Sequence, residues 1–377
     1  MEPLTGTNAE PSERYARQLR LEGFTAEHQC ALRDARIAVI GAGGLGSPVL
    51  TYLAAAGVGN LRVIDPDTVD VTNLHRQVLH SQEMIGEAKA VSAAQALSRL
   101  NPEVTVEPVT EALTTSNALE LLAGSDLVID GADNFPTRYL SSDACEILDL
   151  PLVWGSILAW NGQLSLFHAQ GGRGVTYRDL HPVPPRPGEV PSCAEAGVLG
   201  MLCGVIGSAM AMEAIKHLTG LGTTLDGRLA LYDALRMRWQ EIPIARDPAR
   251  APVTALEDLQ LTCGLPGPTG PALQEVSAQD LPALYARGVR LVDIREVPEL
   301  QVEGTLEGAE HLPMSRILTD QTVSDGIEGA VLFCAAGTRS AAVQRTLAAR
   351  GVQVLSLRGG IAAARDAGAV IRPYLSR

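Results

Sequence analysis

The sequence predicts an α/β chain, with a doubly wound, mostly parallel sheet followed by a second, smaller α/β unit. Three observations predict it. Short apolar runs rich in β-branched residues alternate with helix-compatible stretches, the β-α-β rhythm of a parallel sheet. The first run, Ile37–Ile40, passes through a glycine turn directly into helix-compatible sequence from Val49 to Ala56. The third is size: 377 residues are long for one core, and a proline- and glycine-rich stretch beyond Arg246 offers a place to divide them.

Taken in order, residues 1–11 read as a loose tail, with Pro3, Gly6 and Pro11 and no apolar period. Arg14-Tyr15-Ala16-Arg17-Gln18-Leu19 is polar and helix-compatible, and a solvated face ordinarily explains such a basic pair. Gly41, Gly43 and Gly46 take the G-x-G-x-x-G positions, with Gly44 between them, at a strand-to-helix turn where free amides can hold a phosphate. The strand Leu61–Ile64 ends in Asp65, an acid placed to accept from ribose hydroxyls. These features indicate a nucleotide, and dinucleotide binders are their commoner owners.

A polar loop from Pro66 to Gln77 lies beyond that strand, where open α/β sheets bind ligands. A helix over roughly 86–99, with Lys89 near its start, stops at Asn101-Pro102. Strands follow at 104–106 and 126–130, the second delivering Gly131-Ala132-Asp133-Asn134 to the same edge. A helix at 137–148 and strands at 152–158 and 163–167 continue the alternation. Residues 169–196 are irregular, proline-rich and carry Cys193; the run 196–212 reads as a buried helix. Strands near 228–232 and 238–242 close a first domain, 12–245, before a linker at 246–274. The second domain, 275–377, has strands at 290–295, 330–333 and 352–357, the middle one running straight into Cys334-Ala335-Ala336-Gly337-Thr338-Arg339.

Hydrophobic content of 46% with 19% charged residues is that of an ordinary globular protein. A net charge of −13 argues against direct grip on a nucleic acid. Six cysteines without a C-x-x-C pair fit reduced thiols and a cytoplasmic location, with Cys30, Cys145 and Cys203 as core fillers. The amino terminus lacks a signal pattern, and the uncharged run 196–212 falls short of the ~20 residues of a membrane span.

The first domain resembles the ubiquitin-activating (E1-type), Rossmann-like adenylyltransferases that act on molybdopterin-synthase small subunit and on the thiamin sulfur carrier. The stretches that carry the resemblance are Arg14–Gln18, Gly41–Pro48, Asn73-Leu74-His75-Arg76-Gln77, Lys89, Asp130–Asn134, Cys193–Val198 and Met212–Lys216, together spanning nearly all of residues 12–245. The resemblance implies ATP and Mg²⁺. Arg17, Arg76 and Lys89 would be the cations, with Arg17 reaching across a homodimer interface. Asp133 would hold Mg²⁺, Asp65 the ribose, and Asn73 and Gln77 phosphate oxygens, with Asn134 and the glycine turn completing the nucleotide site. Attack of a carboxylate on the α-phosphate gathers negative charge in one place, so the protein's task is to position and neutralise.

The second domain resembles a rhodanese on Cys334–Arg339, Asp293-Ile294-Arg295-Glu296, His311-Leu312-Pro313 and Gly359-Gly360-Ile361. A cysteine at a strand end, looping over glycine into a helix, sits among converging amides that favour a thiolate or persulfide. Tyrosine phosphatases use a loop one residue longer, to enclose phosphate.

These resemblances imply adenylylation of the C-terminal Gly-Gly of a ubiquitin-like sulfur carrier, then transfer of sulfur from a Cys334 persulfide to give a thiocarboxylate. Cys193 or another thiol would release the product. The sulfur donor is a persulfide or thiosulfate, and the pathway stays open among molybdenum cofactor, thiamin, cysteine and tRNA thiolation. The alternatives are a nicotinamide-dependent oxidoreductase and a partner-docking module with an inactive rhodanese domain. Many relatives bind a structural zinc with two C-x-x-C pairs; here the first falls on Thr176 and Asp179 and the second on Cys263 and Pro266. One thiol cannot complete a four-sulfur tetrahedron, so no zinc site is expected. Metal analysis of the purified protein tests this, and stoichiometric zinc would contradict it.

Overall fold

The computed structural model describes residues 13–185, 197–257, 274–319, 321–335 and 337–374. The chain forms two compact units, one holding residues up to 183 together with 197–257 and the other the residues beyond 273. Among the described residues the first unit has eight strands: β1 (Arg36–Ile40), β2 (Asn60–Ile64), β3 (Thr105–Val109), β4 (Leu127–Asp130), β5 (Leu152–Leu158), β6 (Asn161–Phe167), β7 (Arg228–Asp233) and β8 (Arg238–Pro243). They form one sheet in the order β3-β2-β1-β4-β5-β6-β7-β8, parallel through β5 and antiparallel from there to β8. The chain builds outward from β1 in one direction and from β4 in the other. Ile40 pairs with Asp130, so the loops after these two strands emerge side by side at the point where strand order reverses.

Helices α1 (Ala26–Asp34), α2 (Gly46–Ala56), α3 (Lys89–Leu100), α4 (Ala118–Leu122), α5 (Phe135–Leu148), α6 (Tyr177–Leu180) and α7 (Gly200–Thr219) complete the unit. Their limits follow local chemistry. Asn134 caps α5 by accepting from the Thr137 amide at 2.9 Å, with Pro136 in the first turn. Gly57, at φ 88°, ends α2. Ala90, Ala93 and Leu97 make the buried stripe of α3, and Leu50 and Leu53 of α2 are wholly buried, each contributing about 1.5–3 kcal/mol.

Three expectations change. The polar segment at 14–19 forms two tight 3₁₀ turns, Glu13–Tyr15 and Gln18–Arg20. Cys30 is half-buried, not a core filler, while Cys145 and Cys203 are buried. The helix expected at 196–212 runs Gly200–Thr219 and buries only one face, leaving Met201 and Met212 exposed. By length and composition α7 could cross a membrane, but its buried face packs on the sheet. A Cβ on Gly155 of β5 would lie 2.4 Å from Met210 Sδ, and one on Gly162 of β6 would lie 2.3 Å from Ile206 Cδ1. These two glycines give α7 its seat.

The second unit has a parallel sheet of β9 (Glu275–Val276), β10 (Leu291–Asp293), β12 (Glu310–His311), β13 (Val331–Phe333) and β14 (Leu355–Leu357), in the order β12-β10-β13-β14-β9. β11 (Thr305–Leu306) and β15 (Ile371–Arg372) pair antiparallel beside it. Helices α8 (Leu281–Ala286), α9 (Val297–Glu303), α10 (Met314–Thr319), α11 (Gln321–Asp325), α12 (Thr338–Ala349) and α13 (Gly360–Asp366) cover it. Successive strand residues serve opposite faces: Val292 and Leu332 pack with Val343 and Leu347, whereas Leu291 and Val331 pack with Leu281 and Ile361.

Residues 246–257, expected as linker, belong to the first unit. Arg250 donates from Nη1 to both Glu146 oxygens, at 3.1 and 3.0 Å, and from Nε to Asp179 at 3.2 Å. Asp179 also accepts from the Thr176 and Asp247 amides at 2.8 and 3.0 Å. Burial would raise the Asp179 carboxyl; those two amides and Arg250 more than offset it and hold it below its usual range. The clasp is therefore complete above the unfolded value of 3.8 and weakens as pH falls through the lower folded value. Both carboxylates are almost fully buried, so removing the cation strands them. Arg250→Met should destabilise the first unit by about 3 kcal/mol, read from its urea unfolding transition at neutral pH. An unchanged midpoint would mean the clasp is decorative.

Candidate functional site

Two loops meet at the carboxyl edge of the first sheet. In the first, Gly41 turns at φ 90°, and a Cβ on Gly46 would lie 1.9 Å from the Gly41 carbonyl oxygen. The first turn of α2 therefore lies against the end of β1. Its Ser47 and Val49 amides bond to the Gly43 and Leu45 carbonyls, which leaves the amides of the glycine turn, residues 43–46, without a hydrogen-bond partner among the described residues. Asp65 is buried and accepts from the Ala42 amide at 2.7 Å and the Asp67 amide at 2.9 Å. Burial pushes its carboxyl above the usual range, against the pull of those amides and of Lys89. The acid read as a ribose acceptor thus shapes the glycine turn as well.

The polar loop folds over this turn. Asp70 Oδ1 accepts from the Thr72 amide at 2.8 Å and its hydroxyl at 2.6 Å. Asn73 Nδ2 donates to Thr72 Oγ1 at 3.3 Å, and Arg76 Nη1 donates to the Thr72 carbonyl at 3.1 Å. Arg76 Cδ and Gln77 Nε2 stand 3.7 and 3.6 Å from where a Cβ would project at Gly44 and Gly43. Gln77 is buried and its Oε1 has no hydrogen-bond partner among the described residues, an orphan of the kind a bound ligand relieves. Lys89 opens α3 and donates from Nζ to Asp67 at 2.9 Å. The expected Gly41, Gly43, Gly44, Gly46, Asp65, Asn73, Arg76, Gln77 and Lys89 all gather here.

The second loop follows β4. Asp130, wholly buried, accepts from the Ala132 amide at 2.8 Å and from Ser141 Oγ at 2.5 Å; burial raises its carboxyl. Asn134 is spent on capping α5. Asp133 between them is exposed, with no hydrogen bond or ion pair to the described residues. A Cβ on Gly41 would lie 3.3 Å from the Gly131 carbonyl oxygen, which is how closely the two loops approach. Among the described residues no three His, Cys, Asp or Glu side chains converge on one point. A metal carried by phosphates needs only one or two protein carboxylates, and Asp133 fits that need.

Sequence reasoning missed two residues. His80 is buried with Nε2 2.9 Å from the Ala42 carbonyl and Nδ1 2.8 Å from Ser92 Oγ. Arg138 is buried between the Phe135 and Trp154 rings, at 5.2 and 5.8 Å, and donates to the Ala132 carbonyl from Nε and Nη2 at 3.3 and 3.2 Å. The signal for Arg138 was its place one turn into α5, four residues after the cap; His80 offered none.

The structure does not bring Arg17 to this edge. Its neighbours anchor elsewhere: Tyr15 Oη accepts from Asn101 at 2.9 Å, and Gln18 Nε2 donates to the Ala56 carbonyl at 3.2 Å. Ala56 ends α2 and Asn101 follows α3, so the exposed Arg17 lies the length of α2, about 16 Å, from the glycine turn. Cys193 lies outside the described residues, as do Cys263 and Pro266. Thr176 and Asp179 form a capping box on α6.

In the second unit Cys334 follows β13 and is wholly buried. The Gly337 amide donates to its Sγ at 3.2 Å, and Ser340 Oγ stands 3.9 Å away. Its carbonyl accepts from the Ile361 amide at 2.8 Å, and a Cβ on Gly360 would lie 2.3 Å from that carbonyl oxygen. Arg339 makes a two-pronged pair with Glu299 at 2.9 and 2.5 Å. Burial would raise the Glu299 carboxyl, but Arg339 holds it below its usual range. Arg295 is buried and grips Asp293 at 2.9 and 2.7 Å, and its carbonyl meets His311 Nε2 at 2.7 Å. The Gly359-Gly360-Ile361 motif thus meets the Cys334 loop, while Asp293, Arg295 and His311 form a linked set of their own.

Comparison with known proteins matches two stretches of the chain. Residues 15–253 match the ThiF family and residues 277–367 the Rhodanese-like domain. The "Probable adenylyltransferase/sulfurtransferase MoeZ" of Mycobacterium tuberculosis is 41% identical over 373 residues, 96% of this chain and 95% of that one. The "Sulfur carrier protein adenylyltransferase" of Thermus thermophilus is 50% identical, over 68% of this chain and 98% of its own. The "Adenylyltransferase and sulfurtransferase MOCS3" of Bos taurus is 45% identical over 70% and 59%. Among solved structures, E. coli MccB shares the fold, with a TM-score of 0.57 at 19% identity, over 66% of this chain and 76% of that one.

The contact between positions 41 and 46 is backbone against backbone and has no room to yield. Gly46→Ala is expected to cost about 1–3 kcal/mol, lowering the first unit's melting temperature in calorimetry. An unmoved transition would show that the turn relaxes freely.

Proposed function

This chain belongs to the ThiF family and carries a rhodanese-like domain after it, and on that premise we infer that it activates a ubiquitin-like sulfur carrier and then sulfurates it. It is an ATP-using adenylyltransferase and a sulfurtransferase. One observation carries the assignment of the first chemistry to its residues: Arg76, Lys89, the glycine turn and an unpartnered carboxylate, Asp133, share one sheet edge. A hydride-transfer site has no use for that set.

The proposed sequence begins with the carrier's C-terminal glycine carboxylate attacking the α-phosphate of ATP and expelling pyrophosphate. The amides of the glycine turn, at the start of α2, receive phosphate oxygens, and Arg76 and Lys89 offset the gathering charge. Lys89 exchanges its partner Asp67 for phosphate. Asp133 would hold Mg²⁺, which supplies charge neutralisation on the phosphates. Asp65 orients the ribose while keeping the turn in shape. Arg17 cannot span the length of α2, which supports its delivery by a second copy in a homodimer.

In the second step a Cys334 persulfide replaces AMP, forming an acyl disulfide. The Gly337 amide is placed to stabilise the sulfur anion. Another thiol, Cys193 in this proposal, attacks the disulfide, releases the thiocarboxylate and leaves itself bonded to Cys334. A Gly-Gly carrier and a persulfide or thiosulfate donor are the proposed partners, and the cytoplasm the proposed compartment.

Asp133→Asn should abolish ATP–pyrophosphate exchange with the fold intact by circular dichroism; retained exchange would remove Asp133 from the mechanism. Cys334→Ala should keep exchange yet lose thiocarboxylate formation, followed by mass spectrometry of the carrier. Loss of both activities in Cys334→Ala would refute the division of labour.

A further inference from the structure

The two loops at the carboxyl edge are held in the same way, each by an acid on an amide and by a second residue on a carbonyl, His80 or Arg138, that no part of the proposed chemistry uses. Around Ala42 two successive peptide units are each held: Asp65 accepts from the Ala42 N–H at 2.7 Å, and His80 Nε2 meets the Ala42 carbonyl, which shares its peptide unit with the Gly43 amide, at 2.9 Å. At Ala132 the arrangement repeats, with Asp130 accepting from the N–H at 2.8 Å and Arg138 donating to the carbonyl at 3.3 and 3.2 Å. A carbonyl only accepts, so His80 carries its proton on Nε2 and takes the Ser92 hydroxyl proton at Nδ1. Burial pushes the imidazole below its usual range, in keeping with that neutral form. Arg138 is more unusual, because a buried guanidinium costs desolvation and among the described residues it forms no ion pair at salt-bridge distance. Its place between two rings and over a carbonyl recovers part of that cost.

We propose that His80 and Arg138 are positioning residues for the nucleotide, His80 fixing the amides of the glycine turn and Arg138 fixing the loop that presents Asp133. The inference rests on the adenylyltransferase reading above and adds a division of labour to it. The two held carbonyls share their peptide units with the amides of Gly43 and Asp133, the residues assigned above to phosphate and to the metal. Turning either unit over would break its carbonyl's bond, so the Gly43 amide and the backbone that carries Asp133 are set before ATP arrives. Positioning of this kind lowers what binding must spend on ordering. Because the glycine turn meets phosphate and Asp133 meets the metal, the two grips separate by metal dependence.

Titration calorimetry of the full chain with ATP, in EDTA and in Mg²⁺, tests this together with the Mg²⁺ dependence of ATP–pyrophosphate exchange. His80→Leu should weaken ATP binding about three- to tenfold in both conditions, the scale of one lost hydrogen bond, and His80→Gln, which keeps a donor, should restore most of it. Arg138→Met should leave affinity in EDTA unchanged, yet raise the Mg²⁺ concentration for half-maximal exchange about tenfold, with Arg138→Lys between it and the parent. Should Leu or Met variants fail to fold by circular dichroism, the Gln and Lys variants carry the test through the same two readouts. Wild-type affinity and Mg²⁺ response in the variants, or equal effects of Arg138→Met with and without metal, would overturn the proposal. If the parent neither binds ATP nor exchanges pyrophosphate, the underlying reading falls instead, and Asp133→Asn reports on that reading alone.

Discussion

The first unit depends on a steric constraint at one point, where the carbonyl oxygen of Gly41 occupies the space any side chain at position 46 would need. With glycine there, α2 can begin directly against the end of β1, and the glycine turn that leads into it lies at the edge where strand order reverses. Other contacts are arranged to keep that approach. Asp65 gives up solvent to hold the Ala42 amide, and Gly207 of α7 lets that helix close on Leu45 and Pro48, a Cβ there falling 2.6 and 2.4 Å from them. The result is a cluster of donors at one edge, joined by Arg76 and Gln77 from the polar loop and by Lys89 at a helix start. Anions are the natural occupant of such a place, and charge neutralisation is its natural chemistry.

The second unit reaches a similar end by the same means on a smaller scale. The loop after β13 is pressed against Gly359 and Gly360, and no side chain at position 360 could clear the carbonyls of Cys334 and Ala335. That crowding turns the Gly337 amide onto the cysteine sulfur. Here the charge to be held sits on a sulfur the protein itself supplies, so the loop is short and the cations are already paired, Arg339 with Glu299 and Arg295 with Asp293. In the phosphate site Lys89 is paired with an exposed carboxylate that can let it go, and Arg76 forms no ion pair among the described residues.

Much of this was legible in the sequence because it follows from apolar runs and glycines. The strands Ile37–Ile40, Leu61–Ile64 and Leu127–Asp130 are near-continuous apolar runs because both sheet faces are covered, and the acids that close two of them sit at the carboxyl edge. Asn134 before a proline-bearing helix is a cap signal, and the structure uses it so. What was not legible depends on partners distant in sequence. His80 and Arg138 are polar residues in amphipathic surroundings, and nothing local says that each turns inward to a loop carbonyl. Arg17 shows the converse: its motif names a role, but the anchors of its neighbours, Ala56 and Asn101, set it far from the glycine turn of its own chain.

The segment after Arg246 misled for a related reason. Proline and aspartate mark it as linker, yet Arg250 binds it to α5 through Glu146 and to the start of α6 through Asp179. Thr176 and Asp179, where the resemblance put the first of two expected zinc-binding pairs, form a capping box whose aspartate takes the guanidinium. The guanidinium draws separate stretches of chain together at this corner, and it is covalently part of one of them. Its donors are planar and fixed, so the clasp specifies geometry as well as attraction. Two carboxylates buried to receive it make the trade unforgiving, since neither has water to fall back on.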